Sequence, residues 1–260
     1  MDDAALSIIS ASAWLMPTGL AILGAIFGSF IAALVVRWPQ GRSVIAGRSH
    51  CDSCESVLKP HELVPLLSAL ASRGRCRRCH AAIDPIHWQI ELVGLLIGLS
   101  AGLLVGGTAA LAVAVFGWLL LALAALDVTE FWLPDRLTIT LALAGLASGL
   151  LGIAPEVADR LIGGFAGFAG LWAVGAGYRA YRGREGLGGG DPKLLGAIGL
   201  WIGWRLLPIT LVLAAMAGLG VVLFWLATGR GARADDRLPF GALLAIAAYP
   251  TALAMLMFGL

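Results

Sequence analysis

Residues 109–135 read AALAVAVFGWLLLALAALDVTEFWLPD. No charge interrupts the stretch Ala109–Leu126, and Asp127 follows it directly. An α-helix needs about 20 apolar residues to cross a hydrocarbon core roughly 30 Å thick, so the stretch predicts a transmembrane helix with an acid at its mouth. Seven other stretches have the same character: Trp14–Val36, Trp88–Val105, Leu137–Ile153, Leu161–Tyr178, Pro192–Leu206, Ile209–Ala227 and Phe240–Leu260. The expected fold is an all-α polytopic membrane protein of about eight transmembrane helices. Pro192–Leu206 is short for a span.

Composition supports that class. Of 260 residues, 59% are hydrophobic and 13% charged, whereas soluble domains carry about 25% charged residues. The 35 glycines suit closely packed membrane helices. Long continuous apolar runs exclude a membrane barrel, whose strands alternate, and the same apolar content excludes disorder. Met1-Asp2-Asp3 is acidic, so the first span is expected to be a retained helix rather than a cleaved signal.

Basic residues sort by side. In the eight-span order, all of the 18 Lys and Arg residues except Arg160 and Arg205 fall on one face. Lysine and arginine are retained in the cytoplasm, which makes that face cytoplasmic and puts both termini outside. The expected divisions are residues 1–36 as the first transmembrane helix, 37–87 as a cytoplasmic loop domain and 88–260 as a membrane-embedded domain.

All four cysteines lie in that loop, as Cys51-Asp52-Ser53-Cys54 and Cys76-Arg77-Arg78-Cys79. Two Cys-x-x-Cys pairs can supply four thiolates to one tetrahedral zinc ion, whose binding would fold a loop with little core of its own. Disulfides or redox pairs are the alternative, and they require an oxidising compartment that the basic flanks argue against. His50 and His80 are read as bystanders, and the Arg73–Arg78 cluster as facing lipid headgroups. Membrane lipid is thus an expected partner; nucleic acid is not, since membrane sorting already accounts for the basic loop.

Acids at the edges of apolar spans are functional candidates because burying them is costly. Asp127 ends one span, and Asp191 closes the loop Gly188-Gly189-Gly190-Asp191-Pro192-Lys193 and opens another. Both are expected at the same depth on the cytoplasmic face. Two carboxyls in contact titrate as a unit, one keeping a proton while the other acts as base, which is the arrangement that drives water onto an amide. Asp191 before Pro192, and Asp135 after Pro134, also read as helix caps. An Asp191 held by backbone N–H groups is expected to be the ionised member, and Asp127 the protonated one. Glu91, early in the second span, needs a partner or water, either as a structural hydrogen bond or in a ligand role. The competing classes are a proton-coupled transporter relaying through Asp127, Glu91 and Asp191, a thiol oxidoreductase, and a structural adaptor.

Asp127 with Leu133-Pro134-Asp135, the Gly188–Asp191 loop with Lys193, and the double Cys-x-x-Cys module together resemble the bacterial type IV prepilin peptidase family. Gly28-Ser29-Phe30, Arg37-Trp38-Pro39, Pro65-Leu66-Leu67-Ser68, Arg73-Gly74-Arg75-Cys76 and Leu238-Pro239-Phe240-Gly241 are similar to it as well. The resemblance runs from about Gly24 to the C-terminus. It implies an aspartyl endopeptidase of the Gly-x-Gly-Asp class, with Asp127 and Asp191 catalytic, and Gly188, Gly189, Gly190, Lys193, Asp135 and Glu91 supporting loop or substrate. Its implied substrate is the helix of a prepilin or type II secretion pseudopilin, cut at the cytoplasmic face of the bacterial inner membrane. It also implies N-methylation of the new terminus from S-adenosylmethionine, a step associated with the first loop. Glu130, Glu185, Asp235 and Asp236 stand where a basic leader could be attracted. Ala32 and Leu63 depart from the family, which commonly has Asn at both positions.

Overall fold

The computed structural model describes residues 3–44, 48–51, 53–184, 186–231 and 237–260, and within the first helix the side chains from residue 14 onward. Asp52, Glu185, Asp235 and Asp236 lie outside the described residues. Among those described, α-helices are the only extended secondary structure: α1 (Asp3–Arg37), α2 (Leu67–Ser72), α3 (Ile86–Leu104), α4 (Gly107–Glu130), α5 (Asp135–Leu150), α6 (Val157–Arg182), α7 (Asp191–Ile202), α8 (Leu207–Ala227) and α9 (Phe240–Phe258). The chain forms two compact units, residues 1–122 and 123–260.

In the first unit α1 and α3 run antiparallel along a seam without side chains. A Cβ on Gly28 would lie 2.7 Å from the Glu91 Cα, and Gly24, Gly98 and Gly102 abut Gly94, Leu20 and Pro17 in reverse order. Small residues let membrane helices approach this closely, and dispersion between the backbones then replaces a hydrophobic drive that lipid cannot supply. Trp118 of α4 donates its indole N–H to the Gly94 carbonyl at 3.0 Å.

The second unit repeats the device. A Cβ on Gly163 would stand 2.6 Å from the Gly199 carbonyl, and one on Gly167 2.7 Å from that of Leu195, so α6 and α7 are antiparallel. Helix α5 runs parallel to α7: Lys193 meets Asp135 at one end, and the Trp201 indole donates to the Leu141 carbonyl at 2.7 Å further along. At the other end Arg160, 1% exposed, is surrounded by carbonyls. Its guanidinium donates to those of Gly145, Ile153, Ala154, Pro155 and Leu200 at 2.8–2.9 Å. A buried cation with no counter-ion among the described residues is tolerated here because helix-end and loop carbonyls solvate it.

The eight-span expectation is not confirmed. Among the described residues, six helices are long and apolar enough to cross a membrane: α3, α4, α6, α8, α9 and the Trp14–Arg37 part of α1. Helices α5 and α7, of 16 and 12 residues, reach only about 24 and 18 Å at ~1.5 Å per residue. Gly203 ends α7 at φ +71°, its N–H returning to the Gly199 carbonyl, so the apolar stretch up to Leu206 is divided between a helix and a turn.

Candidate active site and metal centre

Asp127 sits in the last turn of α4, where its carbonyl also accepts the Phe131 N–H at 3.0 Å. Phe131, at φ +51°, turns the chain out of the helix and towards Leu133 and Pro134. The Asp127 side chain is 5% exposed, and its Oδ2 accepts the backbone N–H of Ala242 at 2.8 Å. That donor is one of the free N–H groups in the first turn of α9, the end of a helix dipole that favours negative charge.

Asp191 is the first residue of α7 and is equally buried. It does not cap the helix. Its Oδ2 turns back to accept the Gly188 N–H at 3.0 Å, while its own N–H returns to the Gly188 carbonyl at 3.2 Å. A Cβ on Gly188 would stand 3.0 Å from that carboxylate oxygen, so the residue type is part of the turn. Burial, and then the charge of Asp127, push the Asp191 carboxyl up to about 6, with the Gly188 N–H opposing them. Asp191 therefore holds a proton more readily than an ordinary aspartate.

Leu133 lies between the two acid-bearing segments. A Cβ on Gly190 would come within 2.8 Å of the Leu133 Cβ, and one on Gly241 within 2.7 Å of its Cδ1 and 3.0 Å of the Asp127 Oδ2. The structure thus brings Asp127, Asp191, Gly188 and Gly190 into one neighbourhood, whereas a Cβ on Gly189 would meet open space. Lys193 and Asp135 form their own pair: the ammonium donates to the Asp135 Oδ1 at 2.7 Å, with both side chains about half exposed. The cap expected of Asp135 is absent, because its carboxylate is turned to Lys193 and makes no hydrogen bond to its own helix. Sequence reasoning missed Ala242, Leu133 as a spacer, and the carbonyl nest of Arg160. A backbone N–H carries no sequence signal, and the close approach of Leu133 depends on glycines remote from it in the chain.

In the first unit Glu91 is buried, and its Oε2 accepts the Leu66 N–H at 2.8 Å. It meets the partner its position demands. A cavity of about 400 Å³ lies beside it, with Arg37, Arg42, Glu62, Asp84 and His87 also in its lining.

The four cysteines converge. Two equivalent knuckles are built on the same hydrogen bonds: Cys51 N–H to the Ser56 carbonyl and Glu55 N–H to that of Cys51, then Cys76 N–H to Ala81 and His80 N–H to Cys76, all at 2.9–3.0 Å. Glu55 and His80 both take positive φ, at 54° and 58°. The Sγ atoms lie within 4.8 Å of one another, with Cys51–Cys79 at 3.9 Å and Cys54–Cys76 at 4.0 Å. Such spacings are too long for a disulfide and close to the roughly 3.8 Å edge of a tetrahedron with Zn–S bonds of about 2.3 Å. Backbone N–H groups of Cys79 and Arg78 bring the Cys76 thiol down to about 6, while burial and the neighbouring thiols push Cys79 up to about 11. A metal ion held here would therefore have to displace protons from the cluster. The cluster can hold a metal ion.

A helical membrane protein with two buried carboxylates at neighbouring helix ends and a four-thiol centre is the class that fold and site define. Residues 22–105 match the model of the bacterial peptidase A24 N-terminal domain, and residues 114–223 that of the type IV leader peptidase family. Over 210 residues the chain is 38% identical to the prepilin leader peptidase/N-methyltransferase of Aeromonas hydrophila, covering 80% of this chain and 71% of the relative. The proteins of the same name from Burkholderia pseudomallei and Pectobacterium carotovorum are 37% and 34% identical, with 84% and 89% of their lengths covered. The chain belongs to the type IV leader peptidase family. No solved structure matches it significantly.

Proposed function

We propose that the protein cuts the leader peptide from type IV prepilins or type II secretion pseudopilins at the cytoplasmic face of the bacterial inner membrane, with Asp127 and Asp191 as the reacting pair. The observation that carries this reading is the placement of both buried carboxyls within one unit, close enough for the charge of Asp127 to act on Asp191. In the proposed step the Asp127 carboxylate takes a proton from a water whose oxygen bonds to the scissile carbonyl carbon. Protonated Asp191 gives its proton to the carbonyl oxygen. Collapse of the tetrahedral diol breaks the C–N bond; the amine leaves with the proton collected by Asp127, and Asp191 regains its own. Gly188 and Gly190 admit the backbone that holds Asp191, and Lys193 and Asp135 tie α7 to α5.

The second proposed activity is N-methylation of the newly exposed terminus. S-adenosylmethionine, when bound, supplies the methyl group on a sulfonium. The cavity beside Glu91 has a volume suited to a ligand of that size. Carboxylates of Glu62, Asp84 and Glu91, with the Trp88 ring, are the chemistry that receives such a cation. Zinc is the ion proposed for the Cys51, Cys54, Cys76 and Cys79 cluster, where it organises the loop. Among the acids expected to attract a basic leader, Glu130 is exposed at the end of α4.

The transporter alternative is not favoured. Such sites lie near the bilayer midplane, whereas Asp127 and Asp191 stand at helix ends. Mass measurement of a prepilin after incubation with membranes tests both activities together. The expected product lacks its leader and carries one added methyl group; an unchanged mass would reject the proposal.

A further inference from the structure

We propose that Glu91 receives the amine to be methylated: its carboxylate binds the ammonium of the substrate N-terminus and takes its proton. The inference rests on the proposal that methylation takes place in the cavity beside Glu91. Glu91 lies in the second turn of α3 and, at 7% exposure, is the one buried acid in that lining among the described residues. Glu62 and Asp84, the other carboxylates there, are half-buried and exposed. Glu91 is held from two sides. A Cβ on Gly28 of α1 would lie 2.7 Å from the Glu91 Cα and 2.8 Å from the Ile90 carbonyl oxygen, which leaves this turn of α3 no room to shift. On the loop side, Oε2 accepts the Leu66 N–H at 2.8 Å. Leu66 stands at φ +60° and ψ −47°, and the Leu67 N–H closes onto the Pro65 carbonyl at 2.6 Å, a γ-turn of the rare, strained kind. Such strain persists only where the surroundings hold it, and Glu91 is part of that hold.

The second carboxylate oxygen faces a ligand space. Among the described residues no fully buried side-chain oxygen lacks a hydrogen-bond partner, and the Leu66 N–H is the one partner Glu91 has there. Oε1 therefore opens to the cavity that Glu91 lines. A glutamine would accept the Leu66 N–H equally well. What a carboxylate adds is charge and a place for a proton, and its burial is costly unless a cation comes to it. An α-amino group, with a pKa of about 7.7–8, is that cation at neutral pH. Glu91 takes one proton from the ammonium, which frees the nitrogen lone pair. The nitrogen then bonds to the methyl carbon as the carbon–sulfur bond breaks, and the electron pair of that bond stays on sulfur, leaving a neutral thioether. The product is a secondary ammonium, and Glu91 passes its proton to water.

The test measures binding, by calorimetry in detergent, of a peptide with the mature N-terminal sequence of a cleaved prepilin, its amine either free or acetylated. Wild type is expected to bind the free amine about tenfold or more tightly, the scale of a hydrogen bond to a charged group. Glu91→Gln is expected to bring that ratio to about one, and Glu91→Asp to keep part of it. S-adenosylmethionine, titrated separately, is expected to bind wild type and Glu91→Gln with similar affinity. Methylation by Glu91→Gln should fall at least about 100-fold, with prepilin cleavage retained because Asp127 and Asp191 lie in the other unit. Equal affinity for the two peptides in wild type, or a preference that survives in Glu91→Gln, would overturn the proposal. Loss of S-adenosylmethionine binding in a Glu91→Gln protein that still cleaves would give Glu91 to the sulfonium instead, and would overturn it too. If Glu91→Gln is lost from the detergent extract, Glu91→Asp must narrow the wild-type preference, and an unchanged preference there would overturn the proposal. Wild type that neither binds S-adenosylmethionine nor adds a methyl group would count against the methylation reading itself.

Discussion

Asp127 Oδ2 accepts the backbone N–H of Ala242 at 2.8 Å, a contact spanning 115 positions that ties the end of α4 to the start of α9. The adjoining Gly241 has no side chain, and a methyl group there would press on both Leu133 and the same carboxylate oxygen, at 2.7 and 3.0 Å. One helix start therefore both supports and positions a proposed reacting group.

Gly241→Ala tests that dependence. The added methyl group moves Asp127 or Leu133 by a few tenths of an ångström or more, and misplacement on the ångström scale costs about 100-fold in rate. Prepilin cleavage is expected to fall about 10- to 100-fold at unchanged protein level on immunoblots. A wild-type rate would show that Asp127 needs no such placement.

Asp191 gives a pH signature. Its folded carboxyl is raised to about 6, while an unfolded aspartate sits near 3.9. A raised folded value means stability that is fully present below the unfolded value and is lost as pH rises through about 6. Asp191→Asn removes that loss, so its melting temperature in detergent should exceed wild type at pH 7 and converge with it near pH 4. The neutral-pH gain is on the order of 1–3 kcal/mol. Parallel melting curves across this range would contradict the assignment.

Arg160 makes a stronger structural prediction. Arg160→Met keeps much of the volume but strips five carbonyls of their donor. Unpaired buried polar groups cost about 1–3 kcal/mol each, so a loss of at least about 3 kcal/mol is expected even after partial rehydration. Breaking the exposed Lys193–Asp135 pair with Lys193→Met should cost less than about 1 kcal/mol. Equal destabilisation of the two variants would contradict the difference in burial.

Metal removal should separate the two units. Cys76→Ser, or a strong chelator, is expected to abolish bound zinc measured by elemental analysis and to expose the loop to protease. Methylation should be lost before cleavage, since the acids lie in the other unit. Normal zinc content in Cys76→Ser would contradict the four-thiol assignment.

Much of this was legible in the chain. The apolar stretch before Asp127 marked α4, and the equal Cys-x-x-Cys spacings marked the two knuckles. Span number was less legible, because hydropathy continues through Leu206 although Gly203 turns the backbone at φ +71°. Cap assignments failed for a related reason. Pro134 and Pro192 correctly signalled helix starts, but the carboxylates of Asp135 and Asp191 found partners, Lys193 and Gly188, that only the folded chain supplies. Arg160 looked like an exterior loop charge, and its carbonyl cage comes from three separate segments that no local pattern joins.

Cleavage of a prepilin by membranes containing equal amounts of wild-type, Asp127→Ala or Asp191→Ala protein tests the central claim most directly. Both variants are expected to leave the precursor intact while wild type shortens it. Full processing by either variant would contradict the proposal that the two carboxyls act together.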